Sequence, residues 1–207
     1  MLIKIFLGLS SLSPSLKKLL WKQWYQFLAS HYQTKEWSFM NYGYTAIDDH
    51  SETLRLNEAD EPNRYAIQLY HHVVSAVDLT NLDVLEIGSG RGAGASYVAR
   101  YLKPKALTRV DFSDKAFEFC KHTHGVDGLS FIKGDAESLL FDAEQFDAVI
   151  NIESSHCYGS MENFLANAKR VLRQNGYLLY ADFRNKNDVA LLHSLMEQSG
   201  MKILKRE

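Results

Sequence analysis

Three acidic side chains and a run of glycines stand where they could bind a nucleoside. Residues 84–92 read Val-Leu-Glu-Ile-Gly-Ser-Gly-Arg-Gly, an apolar run that carries one acid and leads into three alternating glycines. Glycine suits such a turn because it tolerates positive φ and lets the backbone approach a ligand closely. Asp111 follows a second apolar run about 20 residues later, a position from which a carboxylate can accept both hydroxyls of a ribose. The pattern predicts a nucleoside-cofactor site, although the glycines alone also fit a dinucleotide fingerprint.

The third acid, Asp135, follows another short apolar run, 129–132, and lies in the sequence Gly-Asp-Ala-Glu. Its carboxylate could accept a hydrogen bond from an adenine amino group. The next apolar run, 146–152, is nearly continuous, which is typical of a central parallel strand buried on both faces. It ends in Glu-Ser-Ser-His at 153–156, so polar side chains follow this strand as well.

The spacing of apolar residues predicts the elements that would position these side chains. Helices are predicted at 16–28, 64–77, 93–101, 161–172 and 188–198, and strands at 84–87, 106–110, 129–132, 146–152, 177–182 and 201–204. Asn175-Gly176 is predicted to stop the helix before the fifth strand. The alternation of strands and helices indicates an α/β fold with a Rossmann-like, doubly wound, mostly parallel sheet and helices on both faces. Residues 1–60 are predicted to form an N-terminal helical cap, and 61–207 the cofactor-binding core of a single domain.

The chain resembles the class I S-adenosylmethionine-dependent methyltransferases. The resemblance rests on 86–92, Asp111, 134–137 and the sequence Val-Leu-Arg-Gln-Asn-Gly-Tyr at 171–177. It implies that S-adenosylmethionine is the cofactor. A nicotinamide-dependent dehydrogenase would share the fold, but it leaves the Gly-Asp-Ala turn at 134–136 unexplained.

A narrower resemblance is to the phthiotriol/phenolphthiotriol dimycocerosates methyltransferases, and it is carried by 58–64, 94–97, 134–137 and 155–158. Those enzymes methylate a hydroxyl of a long-chain polyketide-derived lipid. The resemblance therefore implies O-methylation of a hydrophobic lipid- or polyketide-like small molecule. Because substrate does not follow from fold, two alternatives stay open: C-methylation of a sterol- or fatty-acyl-like substrate, and a truncated cofactor-binding protein without turnover.

The resemblance also implies which residues hold the cofactor. The glycine turn would hold the methionine part, Asp111 the ribose, and Asp135 with Ala136 the adenine. Tyr42 could donate its hydroxyl to the methionine carboxylate or exclude water, or it could be a core aromatic of the cap. The predicted cofactor-binding residues are Tyr42, Glu86, Gly88, Ser89, Gly90, Gly92, Asp111, Phe112, Asp135, Ala136, Glu137 and Asn151.

Methyl transfer to an aliphatic alcohol requires a base, because the hydroxyl is a poor nucleophile until its proton leaves. His156 is the first candidate, since it follows the fourth strand at the end where open α/β sheets bind ligands, and histidine titrates near neutrality. Glu153 is the second candidate, or it could contact the cofactor or orient His156. The alternative for His156 is a structural loop histidine that hydrogen-bonds the backbone.

Composition agrees with a small globular enzyme, and the net charge of −2 argues against a nucleic-acid partner. Five lysines precede the first acid, Glu36, and the helix at 16–28 is basic and aromatic, so it could pack over the cofactor site or contact a membrane surface. The chain shows no convincing secretory signal and only two cysteines, which predicts a cytoplasmic protein. The basic helix at 16–28 leaves open a peripheral contact with the inner membrane surface. His122 and His124 alternate in a predicted loop, where histidines are more often solvated than metal-bound, so no metal site is predicted.

The sequence departs from the class I pattern after residue 204. Methyltransferases of this class continue through a seventh strand that pairs between the fifth and the sixth, whereas this sequence stops at Glu207. A fifth strand without that neighbour would form an exposed edge. Such an edge predicts a tendency to form a homodimer or to aggregate.

Overall fold

A computed structural model describes residues 13–31, 38–46, 54–123 and 125–207. The predictions that concern residues 1–12, Lys35 and His124 lie outside these ranges, as do those on the N-terminal leader. Within the described ranges, no helix is both long and apolar enough to cross a bilayer.

A five-stranded parallel sheet forms the centre of the molecule, with the strand order β3-β2-β1-β4-β5. The order places the first strand in the middle, because the chain runs outward to β3 and then crosses to the other side. The strands are β1 (Asp83–Ile87), β2 (Ala106–Asp111), β3 (Leu129–Lys133), β4 (Phe146–Ile152) and β5 (Leu172–Ala181). The predicted doubly wound α/β fold is confirmed.

Helices cover both faces of this sheet. They are α1 (Pro14–His31), α2 (Arg64–Val74), α3 (Ala93–Tyr97), α4 (Asp114–Thr123), α5 (Met161–Val171) and α6 (Lys186–Gln198), with 3₁₀ turns at Glu58–Asn63 and Ser155–Cys157 and a π turn at Val98–Leu102. Side chains alternate along β1, so that Val84 packs in one core with α2 and α3 while Leu85 packs in a second core with α5. The two cores account for the buried apolar runs in the sequence.

Helix α1 lies across the carboxyl edge of the sheet, where it packs against α4 and the 3₁₀ turn at Ser155–Cys157. It confirms and extends the helix predicted at 16–28. The sequence left two roles open for this helix, packing over the cofactor site and contact with a membrane surface. Its position over the sheet edge corresponds to the first of them.

Two predictions for the last third of the chain are wrong. Asn175-Gly176 does not stop a helix: α5 ends at Val171, β5 begins at Leu172, and the pairing with β4 is interrupted so that Phe146 faces Leu172 while Ala148 faces Tyr177. Asn175, with φ of 64°, lies in the bulge that this irregularity creates. Residues 201–204 form no strand, because within the described residues the sheet ends at β5 and offers them no hydrogen-bonded neighbour.

Candidate functional site

A cavity opens at the carboxyl ends of β1 and β4, the two strands between which the strand order reverses. Open α/β sheets bind ligands at this point. The cavity holds about 970 Å³ of space, counting the part that is open to solvent. Eight predicted site residues line it: Gly88, Gly90, Asp111, Phe112, Asp135, Ala136, Glu137 and Glu153. A smaller adjoining hollow shares Gly88, Gly90 and Glu153 and adds Ser89.

The turn after β1 brings its backbone close to neighbouring side chains. Gly88 has φ of 72°, and a Cβ placed on it would lie 2.3 Å from the Ser154 hydroxyl and 2.6 Å from that of Tyr158. Asn151, fully buried, supports the turn from below by donating to the Ile87 carbonyl (2.9 Å) and to the same two hydroxyls. The structure therefore places Asn151, one of the predicted cofactor-binding residues, under the turn and outside the lining of the cavity.

A buried arginine holds the other side of the turn. Arg109, on β2, donates to the Ser89 hydroxyl (2.9 Å) and to the Gly90 carbonyl (2.6 Å), and it is 2% exposed. Gly92 makes room for it, since a Cβ there would lie 1.5 Å from the guanidinium Nη1. Gly92, one of the predicted cofactor-binding residues, thus makes room for Arg109 and lies outside the lining of the cavity.

We expect Gly92→Ala to lower the free energy of unfolding by about 3 kcal/mol. The added methyl would push Arg109 off its two acceptors in a buried site, and φ of 81° adds backbone strain. Gly125→Ala is the matched control, because no atom lies within 4 Å of a Cβ at that position. Urea unfolding compares the two variants with the parent protein, and equal midpoints for all three would contradict this account of Gly92.

Asp111 supports the glycine turn and also lines the cavity. Its two carboxylate oxygens accept from the backbone N–H groups of Gly90 (2.7 Å) and Ser113 (2.8 Å). Burial raises the pKa of Asp111, and the backbone donors and the Arg109 charge offset part of that effect. The carboxylate therefore fixes the glycine turn while it lines the cavity.

Glu86 is buried beneath the turn and is not in the cavity wall. One of its oxygens accepts from the Tyr70 hydroxyl (2.7 Å), whereas the other, Oε2, has no hydrogen-bond partner among the described residues. Burial raises the pKa of Glu86 to about 7, against the opposing charge of Arg109.

Two lysines of helix α1 lie at one end of the cavity. Lys18 forms ion pairs with Asp135 and with Glu137 (3.4 Å), and the Lys22 ammonium lies 4.1 Å from the centre of the Phe112 ring. Glu137 also accepts from the backbone N–H groups of Gly159 (2.9 Å) and Ser160 (3.0 Å). Phe112, Asp135 and Glu137 therefore meet at one end of the cavity, and the sequence did not indicate that Lys18 joins them.

His156 sits beside the cavity and not in its lining. Its Nδ1 lies 2.9 Å from Oδ1 of Asp182, and its backbone N–H donates to the other oxygen of that carboxylate (2.9 Å). The imidazole is covered by the rings of Trp21, a cavity residue, and Phe183. The sequence placed Asp182 at the end of the fifth strand but did not assign it to the site.

Asp182 has a fully buried side chain that is surrounded by donors. Besides His156, it accepts from the Ser155 hydroxyl (2.7 Å) and pairs with Arg184 (3.0 Å). Burial alone would raise the pKa of Asp182, but the hydrogen bonds from His156 and Ser155 and the Arg184 charge outweigh it and hold that pKa below its ordinary value. Asp182 is therefore ionised at neutral pH, and His156 must present Nδ1–H to it.

Glu153 lines both hollows and accepts from the backbone N–H of Tyr42 (2.9 Å). Burial raises the pKa of this carboxyl, while the Tyr42 hydrogen bond and the nearby His156 act in the opposite direction. Tyr42 itself is 84% exposed and lines neither hollow. Its neighbours Met40 and Asn41 line the hollows in its place.

Comparison with known proteins agrees with this geometry. A sequence profile of the methyltransferase domain matches residues 85–180. The chain is 43% identical to the phthiotriol/phenolphthiotriol dimycocerosates methyltransferase of Mycobacterium tuberculosis over 86% of its own length, and it spans 65% of that relative. It is 40% identical to the probable phthiotriol/phenolphthiotriol dimycocerosates methyltransferase 2 of Mycobacterium ulcerans, over 89% of this chain and 70% of that protein. The chain belongs to the class I S-adenosylmethionine-dependent methyltransferases.

Other relatives of this chain extend the comparison. It is 42% identical to a fatty-acid O-methyltransferase of Mycolicibacterium smegmatis, over 80% of this chain and 60% of that protein. The solved structure of the [4+2]-cyclase SpnF superimposes with a TM-score of 0.69 at 19% identity and covers 89% of this chain and 72% of that one. At that identity the likeness shows the fold alone.

The cofactor is S-adenosylmethionine, and the residues present fit it. Gly88 and Gly90 line the cavity at the turn, and Asp111 and Asp135 line it from two strand ends. We expect Gly88 and Gly90 to hold the methionine part, Asp111 the ribose, and Phe112 with Asp135 the adenine.

The raised pKa of Glu86 predicts that the stability of the protein falls as the pH rises. The folded state holds this proton up to a pKa of about 7, whereas an unfolded glutamate releases it near the ordinary value of 4.5. The free energy of unfolding should therefore fall between about pH 4.5 and about pH 7. Urea unfolding at several pH values measures this, and Glu86→Gln should remove the fall. A fall that survives in Glu86→Gln would assign it to another group.

Proposed function

We propose that this protein transfers the methyl group of S-adenosylmethionine to a hydroxyl of a hydrophobic lipid- or polyketide-like molecule. The observation that carries the proposal is the Asp182–His156 pair beside the cofactor cavity. The relatives support it, since they are named for methylation of phthiotriol/phenolphthiotriol dimycocerosates and O-methylation of fatty acids. Those names describe proteins that this chain matches in part, so the acceptor is proposed from its own residues as well.

The Asp182–His156 pair supplies a base whose ring proton is held on one nitrogen, Nδ1. Asp182 accepts from Nδ1–H of His156, which leaves the lone pair at Nε2 free to take a proton. Arg184 and Ser155 hold the Asp182 carboxylate in place, so the imidazole keeps its orientation. When bound, S-adenosylmethionine supplies a methyl group activated by its sulfonium.

The remaining task of the protein is positioning. An alcohol oxygen must be held in line with the activated methyl at near-attack distance while its proton passes to His156. Glu153, which lines both hollows, is the second group that could accept this proton or orient the hydroxyl. Trp21 separates His156 from water on the side of α1.

Product analysis tests this function. The purified protein is incubated with S-adenosylmethionine and a panel of long-chain alcohols, diols and hydroxylated polyketide extracts, and products are analysed by mass spectrometry with fragmentation. We expect methyl ethers, and no product from matched acceptors whose hydroxyl is already methylated. A methyl group on carbon would replace the proposal with C-methylation. Cofactor binding without any product would favour a binding protein that does not turn over.

Strand β5 leads us to propose self-association of the protein. One side of β5 pairs with β4, and within the described residues the other side has no neighbouring strand. An edge with free backbone groups favours pairing with a second copy. Light scattering over a broad concentration range should show the apparent mass rise with concentration, and a constant monomer mass would contradict this.

We also propose that α1 contacts lipid at its outer face. Leu19, Trp24 and Phe27 are exposed on this helix, while Lys18 and Lys22 turn inward to the cavity. Tryptophan and phenylalanine favour the interface between water and lipid. Co-sedimentation with lipid vesicles should fall in a Trp24→Ser variant, and unchanged sedimentation would leave α1 as a cover of the site alone.

A further inference from the structure

Four aromatic rings form a continuous row from the cofactor cavity to the protein surface. Trp21, which lines the cavity, packs edge-on against His156 with the ring centres 5.5 Å apart. The His156 and Phe183 ring centres are 4.2 Å apart, and those of Phe183 and Tyr42 are 5.4 Å apart. We call these four residues the aromatic row. Its inner end is covered, whereas Phe183 is 45% and Tyr42 84% exposed.

Hydrogen bonds of the polar site anchor the outer two rings. The backbone N–H of Tyr42 donates to Glu153 Oε2 (2.9 Å), and that of Phe183 donates to Asp182 Oδ1 (2.9 Å). Both exposed rings are therefore tied to the carboxylates that flank His156. Large aromatic rings that are exposed and yet anchored at a site commonly serve a ligand.

We infer that the aromatic row is the binding surface for the apolar chain of the methyl acceptor, with the chain lying on Phe183 and Tyr42 and its hydroxyl at His156 and Glu153. The inference rests on the proposed function, which it deepens by naming where the acceptor lies. Seven of the residues that line the cavity are predicted to hold the cofactor, and with the cofactor bound we expect the apolar chain to lie on another surface. The row is continuous with the cavity, and its exposed end is uncharged.

The row gives Tyr42 a role different from the one predicted from sequence. The prediction used the Tyr42 hydroxyl to hold the methionine carboxylate, whereas the row uses its ring. Tyr42→Ala and Tyr42→Phe separate the two roles, because only the first removes the ring and both remove the hydroxyl. Tyr65→Ala is the matched control, since Tyr65 is an exposed tyrosine outside the row.

The kinetic test compares alcohols of different chain length. We expect the ratio of kcat/KM for a long-chain alcohol to that for a short one to fall about tenfold in Tyr42→Ala, the effect of losing one apolar contact surface. Tyr42→Phe and Tyr65→Ala should keep the ratio of the parent protein. An unchanged ratio in Tyr42→Ala would overturn the inference, and a loss of cofactor affinity in Tyr42→Phe would support the sequence prediction.

A binding measurement tests the row independently of turnover. Dansyl-tagged undecanol is titrated into the full chain saturated with S-adenosylhomocysteine, and dansyl fluorescence is followed. Phe183→Ala and Tyr42→Ala should each weaken binding about tenfold, with Tyr65→Ala unchanged. If the parent protein forms no methylated product but binds the probe through the row, the proposed function fails and the surface stands. If it methylates alcohols while the probe binds all variants equally, the function stands and the row fails.

Discussion

Asp182→Asn should reduce kcat for methyl transfer by at least about 100-fold, with the cofactor Kd changed by less than about twofold. The substitution keeps the shape of the side chain but removes the charge that holds Nδ1–H of His156. An asparagine can present its amide nitrogen to the ring, and His156 would then carry its proton on Nε2, where the lone pair is needed. Steady-state kinetics with a long-chain alcohol and calorimetry with S-adenosylhomocysteine measure the two quantities.

A structural role for Asp182 would give a different pattern. Because Arg184 and Ser155 also bind this carboxylate, a collapse of the network would lower cofactor affinity and thermal stability together. Ser155→Ala is a useful comparison, since it removes one donor to Asp182 and leaves the contact with His156. A positioning role predicts a small effect for Ser155→Ala and a large loss of kcat for Asp182→Asn. Full activity in Asp182→Asn would eliminate His156 as an oriented base.

The folded state holds the pKa of Asp182 below the ordinary value of 3.8, so its charge stabilises the protein above that value. This contribution is lost as the pH falls below about 4 and through the folded pKa. In Asp182→Asn the free energy of unfolding should therefore depend less on pH below about pH 4 than in the parent protein. Near neutrality its dependence on pH should be unchanged. The acid-stability profile gives a readout that is independent of catalysis.

Asp111→Asn should weaken binding of S-adenosylmethionine by about 100-fold, equivalent to about 2.7 kcal/mol. Two losses add here: one of the oxygens that accept from Gly90 and Ser113 becomes a donor, and the charge that faces the ribose disappears. Burial already raises the pKa of Asp111, so removing the charge should not unfold the protein.

Asp114→Asn is the matched control for this variant. Asp114 is exposed, lies three positions away and pairs with Lys133 at the surface. Calorimetry should find parental affinity in Asp114→Asn and thermal unfolding should be similar in both variants. Parental affinity in Asp111→Asn would mean that the cofactor does not depend on this carboxylate.

The sequence predicted the sheet because three of its strands, β1, β2 and β4, are largely buried apolar runs, and buried strands leave a strong local pattern. The carboxyl-end rule then located Asp111, Asp135 and Glu153 at one cavity, since parallel strands bring their ends to a common edge. The last strand was mispredicted at its start. Asparagine followed by glycine fits a helix stop and a strand bulge equally well, because both use positive φ, and only the pairing with β4 distinguishes them.

Residues that act through long-range packing could not be found in this way. Arg109 interrupts an apolar run and would ordinarily be assigned to an exposed position, yet it is buried against the glycine turn. Lys18 reaches Asp135 across 117 positions of sequence, and no local pattern encodes that contact. Asp182 is different, because it follows a strand just as Asp111 does, and the same carboxyl-end rule would have identified it.

A calorimetric titration of the full chain with S-adenosylmethionine, S-adenosylhomocysteine and NAD tests the central claim most directly. A nicotinamide site would share the glycine turn and Asp111 but leaves the Gly-Asp-Ala turn at 134–136 unexplained, so the account predicts micromolar binding of the first two ligands and no heat with NAD. Binding of NAD with silence toward S-adenosylmethionine, or silence toward all three, would contradict it.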